Sequence, residues 1–283
     1  MYKGMTTGHQ TTELHSPTVT EGKRLSWNMF FKHYKEILNE FRQYIYPSWL
    51  YGFHKLNFKE DETPELCSLN YRLAETGWQL VRVGGYLPSV VYSEYLSAGL
   101  FPVASYIRPA TCSTHSPQPD FIHDVLGHLP MLFDPSYGHF LKQLATEIAK
   151  CGPDLVEQRF NQINNLLGMQ AAEGAGPDYP ELQSELTELQ KLRSHAQTRS
   201  VQLSNLMLWT IEFGLMSYED CPKVYGAGIL SSQKELRKVI SSQDRLRAFT
   251  TDTLKLNYNF TSVQNQYFYA SSFEELSAVL HIC

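Results

Sequence analysis

No run of this sequence approaches the roughly 20 consecutive apolar residues that a membrane span requires. Neither sign of charge dominates. The 24 Lys and Arg are interspersed with 29 Asp and Glu, for a net charge of -5, which argues against a nucleic-acid partner and against an anionic membrane surface. The five cysteines (Cys67, Cys112, Cys151, Cys221 and Cys283) are odd in number and share no paired spacing. That excludes a disulfide frame and a zinc ribbon, and suits reduced thiols in a cytoplasmic protein. Internal repeats and low-complexity tracts are lacking too. The polar opening stretch has no signal-peptide core, and residues 1–24 are expected to form a flexible tail.

What is present is core-forming material. The chain has 283 residues, 42% of them hydrophobic and 13% aromatic, enough for one substantial core over 25–283. The pattern is mainly helical with a few short strands. Ser26 stands where a cap could open a helix carrying Trp27, Phe30, Phe31, Tyr34 and Ile37 on one face. Residues 77–83 and 101–108 read as extended, and residues 89–100, 137–150, 233–241 and 272–280 as helices. A strand or hairpin is expected within 258–269. Between 177 and 200, Leu182, Leu186, Leu189 and Leu192 recur every three or four residues. This amphipathic seam packs on its own domain, or serves a lid, a protein partner or self-association.

The chemistry gathers around Pro119-Asp120-Phe121-Ile122-His123-Asp124-Val125-Leu126-Gly127-His128-Leu129-Pro130. Imidazole is the commonest protein metal ligand. A spacing of five sets His123 and His128 about 140° apart on an ideal α-helix. Both reach one ion if the helix ends there, as Gly127 and Pro130 would allow. A second signal is Glu212, a carboxylate inside the apolar run 203–216, costly to bury unless paired or bound to metal. The bland alternative is a solvated Glu212, or one paired with Arg82 or Arg108. Two imidazoles and one carboxylate suit non-heme Fe(II), and equally a catalytic zinc.

The stretch 118–130 resembles the iron-site signature of the tetrahydropterin-dependent aromatic amino acid hydroxylases. Three further blocks are similar to that family in the same order: Thr76-Gly77-Trp78-Gln79-Leu80-Val81, Thr210-Ile211-Glu212-Phe213-Gly214-Leu215, and Tyr225-Gly226-Ala227-Gly228-Ile229-Leu230-Ser231-Ser232. The resemblance implies the family's catalytic-domain fold, a helical basket around one iron, in a bare catalytic domain of the bacterial, phenylalanine-hydroxylating kind. It implies that His123, His128 and Glu212 hold Fe(II). Gly85, Leu87 and Ser89 would line the site of a tetrahydropterin of the tetrahydrobiopterin or tetrahydromonapterin type, with Tyr92 stacking on its ring. Asp124 replaces the usual Glu and would reach the pterin through water. Arg108 would bind the substrate carboxylate with Ser116 near it, Pro119, Phe213 and Gly228 would line the ring pocket, and Ser231 would hydrogen-bond the non-ligating nitrogen of His123.

Two departures stand out. Met207 and Leu208 occupy positions where the family commonly has Tyr and Trp, with Trp209 a partial substitute from the next position. Residues 151–200 read as an insertion between the ligand segments. The implied activity is ring hydroxylation with O2, most simply phenylalanine to tyrosine. Another ring position, tryptophan or a carrier-bound aromatic acid would use the same chemistry. A zinc hydrolase and a non-catalytic metal-binding interaction protein are the competing readings.

Overall fold

The computed structural model describes residues 21–84, 86–109, 120–173, 176–258 and 263–282. Helix α1 (Glu21–Phe41) buries Trp27, Phe30, Phe31, Tyr34 and Ile37 as their spacing requires. It begins earlier than Ser26, which is buried on the inner face rather than capping, so residues 21–24 belong to the helix and not to a tail. Helix α2 (Pro47–Leu56) opens with proline, whose missing N–H costs nothing at a helix start. Helix α3 (Leu66–Leu73) leads into strand β1 (Gln79–Val83). Helix α4 (Ser89–Ser97) then crosses over to strand β2 (Leu100–Ala104), which pairs parallel with β1.

Helix α5 (Pro135–Cys151) is capped by Asp134, whose side chain accepts from the N–H groups of Ser136 and Tyr137. Two runs of mixed polar and apolar residues become α6 (Leu155–Glu173) and α7 (Tyr179–Ala196), followed by α8 (Arg199–Met207). The second sheet holds β3 (Gly214–Tyr218) and β4 (Cys221–Val224). After α9 (Ala227–Leu230) and α10 (Gln233–Ser241), it gains β5 (Leu246–Ala248) and β6 (Tyr267–Ala270), in the order β4-β3-β6-β5. The strand expected near 258–269 is thus β6, paired parallel with β3 and β5 rather than folded into a hairpin. Helix α11 (Phe273–Val279), capped by Ser272, closes the chain. Among the described residues no helix is long and apolar enough to cross a membrane.

The segment 151–200 is bolted to the body. Arg193 of α7 is fully buried, its guanidinium paired with the Glu157 carboxylate of α6. It also reaches Asn205 Oδ1 of α8 at 3.1 Å and Asn257 Oδ1 at 3.1 Å, and lies 3.9 Å from the Phe160 ring centroid. A buried charge is tolerated only with such complete pairing. Of the leucine seam, Leu182 and Leu189 are buried and Leu186 partly so, while Leu192 is 54% exposed. The seam is used mainly inside the molecule.

Candidate metal centre and its cleft

Both segments that carry the candidate ligands are π-helical, His123–His128 and Leu208–Glu212. Their backbone bonds span five residues, Leu129 N–H to the Asp124 carbonyl and Phe213 N–H to the Leu208 carbonyl. The wider turn brings residues five apart onto one face. This corrects the expectation of a helix ending at Gly127: the segment continues as a 3₁₀ turn through Leu129–Phe133. Gly127 serves close approach instead, since a Cβ there would meet the Ala227 backbone oxygen of α9 at 3.0 Å.

Asp120 starts the first segment. Its Oδ1 accepts from the N–H of Ile122 at 2.8 Å and of His123 at 3.2 Å. The same carboxylate pairs with Arg108 Nε at 3.2 Å, both residues being buried. Arg108 is therefore paired with Asp120, and Glu212 is paired with neither Arg108 nor Arg82. Glu212 meets the histidines: Oε2 lies 3.4 Å from His123 Nε2, and Oε1 lies 3.1 Å from His128 Nε2. The two Nε2 atoms are 3.0 Å apart. Donors bound at about 2.1 Å and at right angles lie about 3.0 Å apart, against about 3.4 Å for a tetrahedral ion. The three groups thus stand at the separations of donors that share one ion, and two imidazoles with one carboxylate are the donor set of non-heme Fe(II) sites.

The electrostatics favour a cation. Burial opposes charge on His123, but the neighbouring Glu212 carboxylate outweighs it and lifts the imidazole to about 9. Burial pushes Glu212 up, yet the two imidazoles hold its carboxyl well below the usual carboxylate range. On its far side, His123 Nδ1 lies 2.7 Å from Ser231 Oγ. That contact occupies Nδ1 and leaves Nε2 facing Glu212 and His128. Asp124 also falls within ligand distance of the two histidines. One of its oxygens, Oδ2, accepts from the Ala104 N–H at the end of β2 at 2.7 Å, so half of this carboxylate is committed to backbone. Burial raises its pKa to about 6, against the pull of His123 and that N–H.

The triangle opens into a cleft of about 490 Å³. Leu87, Ser89, Tyr92, Arg108, Leu208, Phe213, Gly228 and Ser231 all line it together with His123, Asp124, His128 and Glu212. Gly85, Ser116 and Pro119 lie outside the described residues. Gly228 lets α9 close on the site, because a Cβ there would stand 3.1 Å from the Phe213 ring and 3.3 Å from Glu212 Oε2. Trp209 does not substitute for the aromatics missing at 207 and 208. Its ring is turned away, onto Phe268 at 5.2 Å, with Nε1–H donating to the Leu256 carbonyl at 2.9 Å. Met207 and Leu208 remain on the cleft wall.

Comparison with known proteins agrees with this geometry. A model of the biopterin-dependent aromatic amino acid hydroxylases matches residues 7–160 and 163–282. The chain belongs to that family. Mouse tyrosine 3-monooxygenase is 30% identical over 220 residues, which make up 77% of this chain and 35% of the mouse protein. Phenylalanine-4-hydroxylase of Chromobacterium violaceum is 27% identical over 228 residues, 80% of this chain and 62% of that one. Tryptophan 5-hydroxylase of Xenopus laevis is 27% identical over 260 residues, 90% and 45%. The chain thus spans about a third to under two thirds of these relatives. The crystal structure of the Chromobacterium phenylalanine hydroxylase with bound iron(III) and oxidised 7,8-dihydrobiopterin superposes with a TM-score of 0.71 at 24% identity, over 93% of this chain and 80% of that one. The hydroxylase fold, mainly helical with few strands, is therefore the fold of this chain.

Sequence reasoning missed one wall of this hydroxylase cleft. Asn161, Asn164, Asn165 and Gly168 of α6 line it, as do Ser200 and Ser204 of α8. The available signal was an amide stripe at i, i+3 and i+4 within a helix that is otherwise apolar inward.

Proposed function

We propose that this chain is a monooxygenase that hydroxylates the ring of an aromatic amino acid, phenylalanine to tyrosine being the first candidate, with Fe(II), a tetrahydropterin and O2. The observation that carries this reading is the triangle of His123, His128 and Glu212 donors opening into the same cleft as the buried Arg108. His123, His128 and Glu212 would hold the iron, and ferrous iron with a reduced pterin beside it would supply O2 activation, the pterin giving two electrons and the ring the other two.

The chain's own residues bind, orient and exclude water. Ser231 keeps the His123 proton on Nδ1. Arg108, fixed through Nε by Asp120, offers its terminal nitrogens to the substrate carboxylate, a match for a planar fork of donors. Tyr92 is the aromatic face for the pterin, with Leu87 and Ser89 beside it, and Phe213 and Leu208 bound the substrate ring. No side chain is needed as a general base, because the protein's task is to position three reactants.

Leu208 favours a second substrate reading. A leucine on the wall, with Trp209 turned away, leaves room for a larger ring or a shifted ring position. The test is a mass-spectrometric turnover screen of the Fe(II)-loaded protein with tetrahydropterin, O2 and a panel of phenylalanine, tyrosine, tryptophan and related aromatic acids. A gain of one oxygen supports the monooxygenase and names the substrate. Pterin binding without oxygen uptake on any substrate overturns it in favour of a metal-binding interaction protein. Self-association through 177–200 would rest on the exposed Leu192 alone, and sedimentation tests it.

A further inference from the structure

The two π-turns are built alike. In the first, the Leu129 N–H bonds the Asp124 carbonyl, and the residues just before those two are His123 and His128. In the second, the Phe213 N–H bonds the Leu208 carbonyl at 2.9 Å, and the residues just before those two are Met207 and Glu212. A backbone bond that spans five residues stacks side chains five apart on one face. Met207 therefore stands to Glu212 as His123 stands to His128. Both Met207 and Glu212 line the cleft.

This turn brings a thioether to the face that carries a candidate ligand. The neighbouring apolar side chains of the wall, Leu87, Leu208, Ile211 and Phe213, present only carbon. Sulfur presents a lone pair, which takes up an oxygen atom without any C–H bond being broken; methionine is accordingly a common site of oxidation. The other methionines among the described residues, Met29, Met131, Met169 and Met216, do not line the cleft, and Met131 and Met216 are buried in the core. Met207 is the one sulfur of the described cleft wall.

We propose that Met207 is a self-modification site: when no aromatic acid occupies the cleft, the oxygen atom otherwise destined for a ring goes to Met207 Sδ and leaves the sulfoxide. The O–O bond of O2 breaks and a sulfur–oxygen bond forms. The pterin gives two electrons and the sulfur the other two. The second oxygen atom stays on the pterin as a hydroxyl, so no further oxidant or reductant is needed. The inference rests on the monooxygenase reading above and goes beyond it by naming an acceptor within the chain. Sulfoxidation turns a flexible apolar side chain into a polar one, here on the wall next to Leu208. An enzyme that turns over without substrate thus marks its own cleft, and a methionine sulfoxide reductase erases the mark.

The test supplies the Fe(II)-loaded protein with tetrahydrobiopterin, isotope-labelled O2 and catalase, with no aromatic acid, and maps its peptides by mass spectrometry. Label on Met207 should exceed that on Met29, Met131, Met169 or Met216 by about tenfold or more, and as a single epimer it should be removed by only one of the two epimer-specific sulfoxide reductases. Omitting the pterin, or loading Zn(II) in place of Fe(II), should abolish the label. An aromatic acid that the protein hydroxylates should suppress it. Met207→Leu, which nearly conserves volume, should leave every other methionine unlabelled. The inference is overturned, and the monooxygenase reading left standing, if pterin is consumed while Met207 stays unlabelled, is labelled no more than the other methionines, or carries both epimers equally. It is overturned likewise if pterin is consumed only when an aromatic acid is present. If no pterin is consumed with or without phenylalanine, tyrosine or tryptophan, the monooxygenase reading falls and this inference with it.

Discussion

Ser231 Oγ lies 2.7 Å from Nδ1 of His123, across 108 residues of sequence, while the opposite nitrogen of that imidazole faces Glu212. We propose that the serine, by occupying Nδ1, leaves Nε2 as the nitrogen that binds metal. Ser231→Ala should weaken Fe(II) binding about 10- to 100-fold, the usual effect of removing such a hydrogen-bond partner. Chelator competition measures it, and Ser231→Thr, which keeps the hydroxyl, should recover most of the loss. Unchanged affinity in the alanine variant would refute the role.

Arg108 makes a different demand. Arg108→Lys keeps a positive charge beside Asp120 but loses the planar fork. The substrate KM should rise about 10-fold or more, from the roughly 1.5–3 kcal/mol of a charge-assisted bond, with a much smaller rise in the pterin KM. Parallel rises in both would mean that Arg108 acts by holding the fold through Asp120.

Leu208 sets the width of the cleft. Leu208→Trp should fill space beside the substrate ring and lower kcat/KM for tryptophan relative to phenylalanine by about tenfold, about 1.4 kcal/mol of discrimination. Competition between the two substrates in one reaction reads this ratio directly. An unaltered ratio would place the ring elsewhere.

The Arg193–Glu157 pair predicts an asymmetry in stability. Arg193→Met strands a buried carboxylate and should cost about 3–5 kcal/mol in urea unfolding. The double variant R193M/E157L removes both charges and should recover most of that. If the single variant is as stable as the parent, α6 and α7 are not held to the body by this pair.

Glu235 gives a pH signature. It is buried on the cleft wall, where the Tyr267 hydroxyl donates to it and the Gln264 N–H donates at 3.0 Å. Burial raises its carboxyl above the ordinary value. A folded-state pKa above the unfolded one means that the native state holds the proton longer. Its contribution to stability is therefore fully present below the unfolded pKa of about 4.5 and declines as pH rises through the raised value. Glu235→Gln should remove this decline from the pH profile of thermal unfolding; a profile parallel to that of the parent would show that Glu235 carries none of it.

Much of this was legible from residue order. Helix α1 followed from the period of Trp27, Phe30, Phe31, Tyr34 and Ile37. The ligand candidates followed from residue type, since a carboxylate at 212 inside an apolar run needs a partner wherever the chain goes. The start of α1 was misjudged because Ser26 has both a capping side chain and a small volume, and packing used the second. The turn at Gly127 was misjudged for a related reason: glycine permits an ending, but here it permits contact with Ala227.

The sequence by itself determined the mainly helical class and named the candidate donors, two imidazoles and one carboxylate, because side-chain chemistry and hydrophobic period are local properties. Only the tertiary structure decided that His123 and His128 share a face, since the α-helical count of 140° gives way to π-turns stabilised by packing against α9. It alone brought Glu212 and Ser231 to opposite nitrogens of one ring. And it alone set α6 along the cleft wall, because which face of a helix meets a cavity is fixed by what the neighbouring helices leave unfilled.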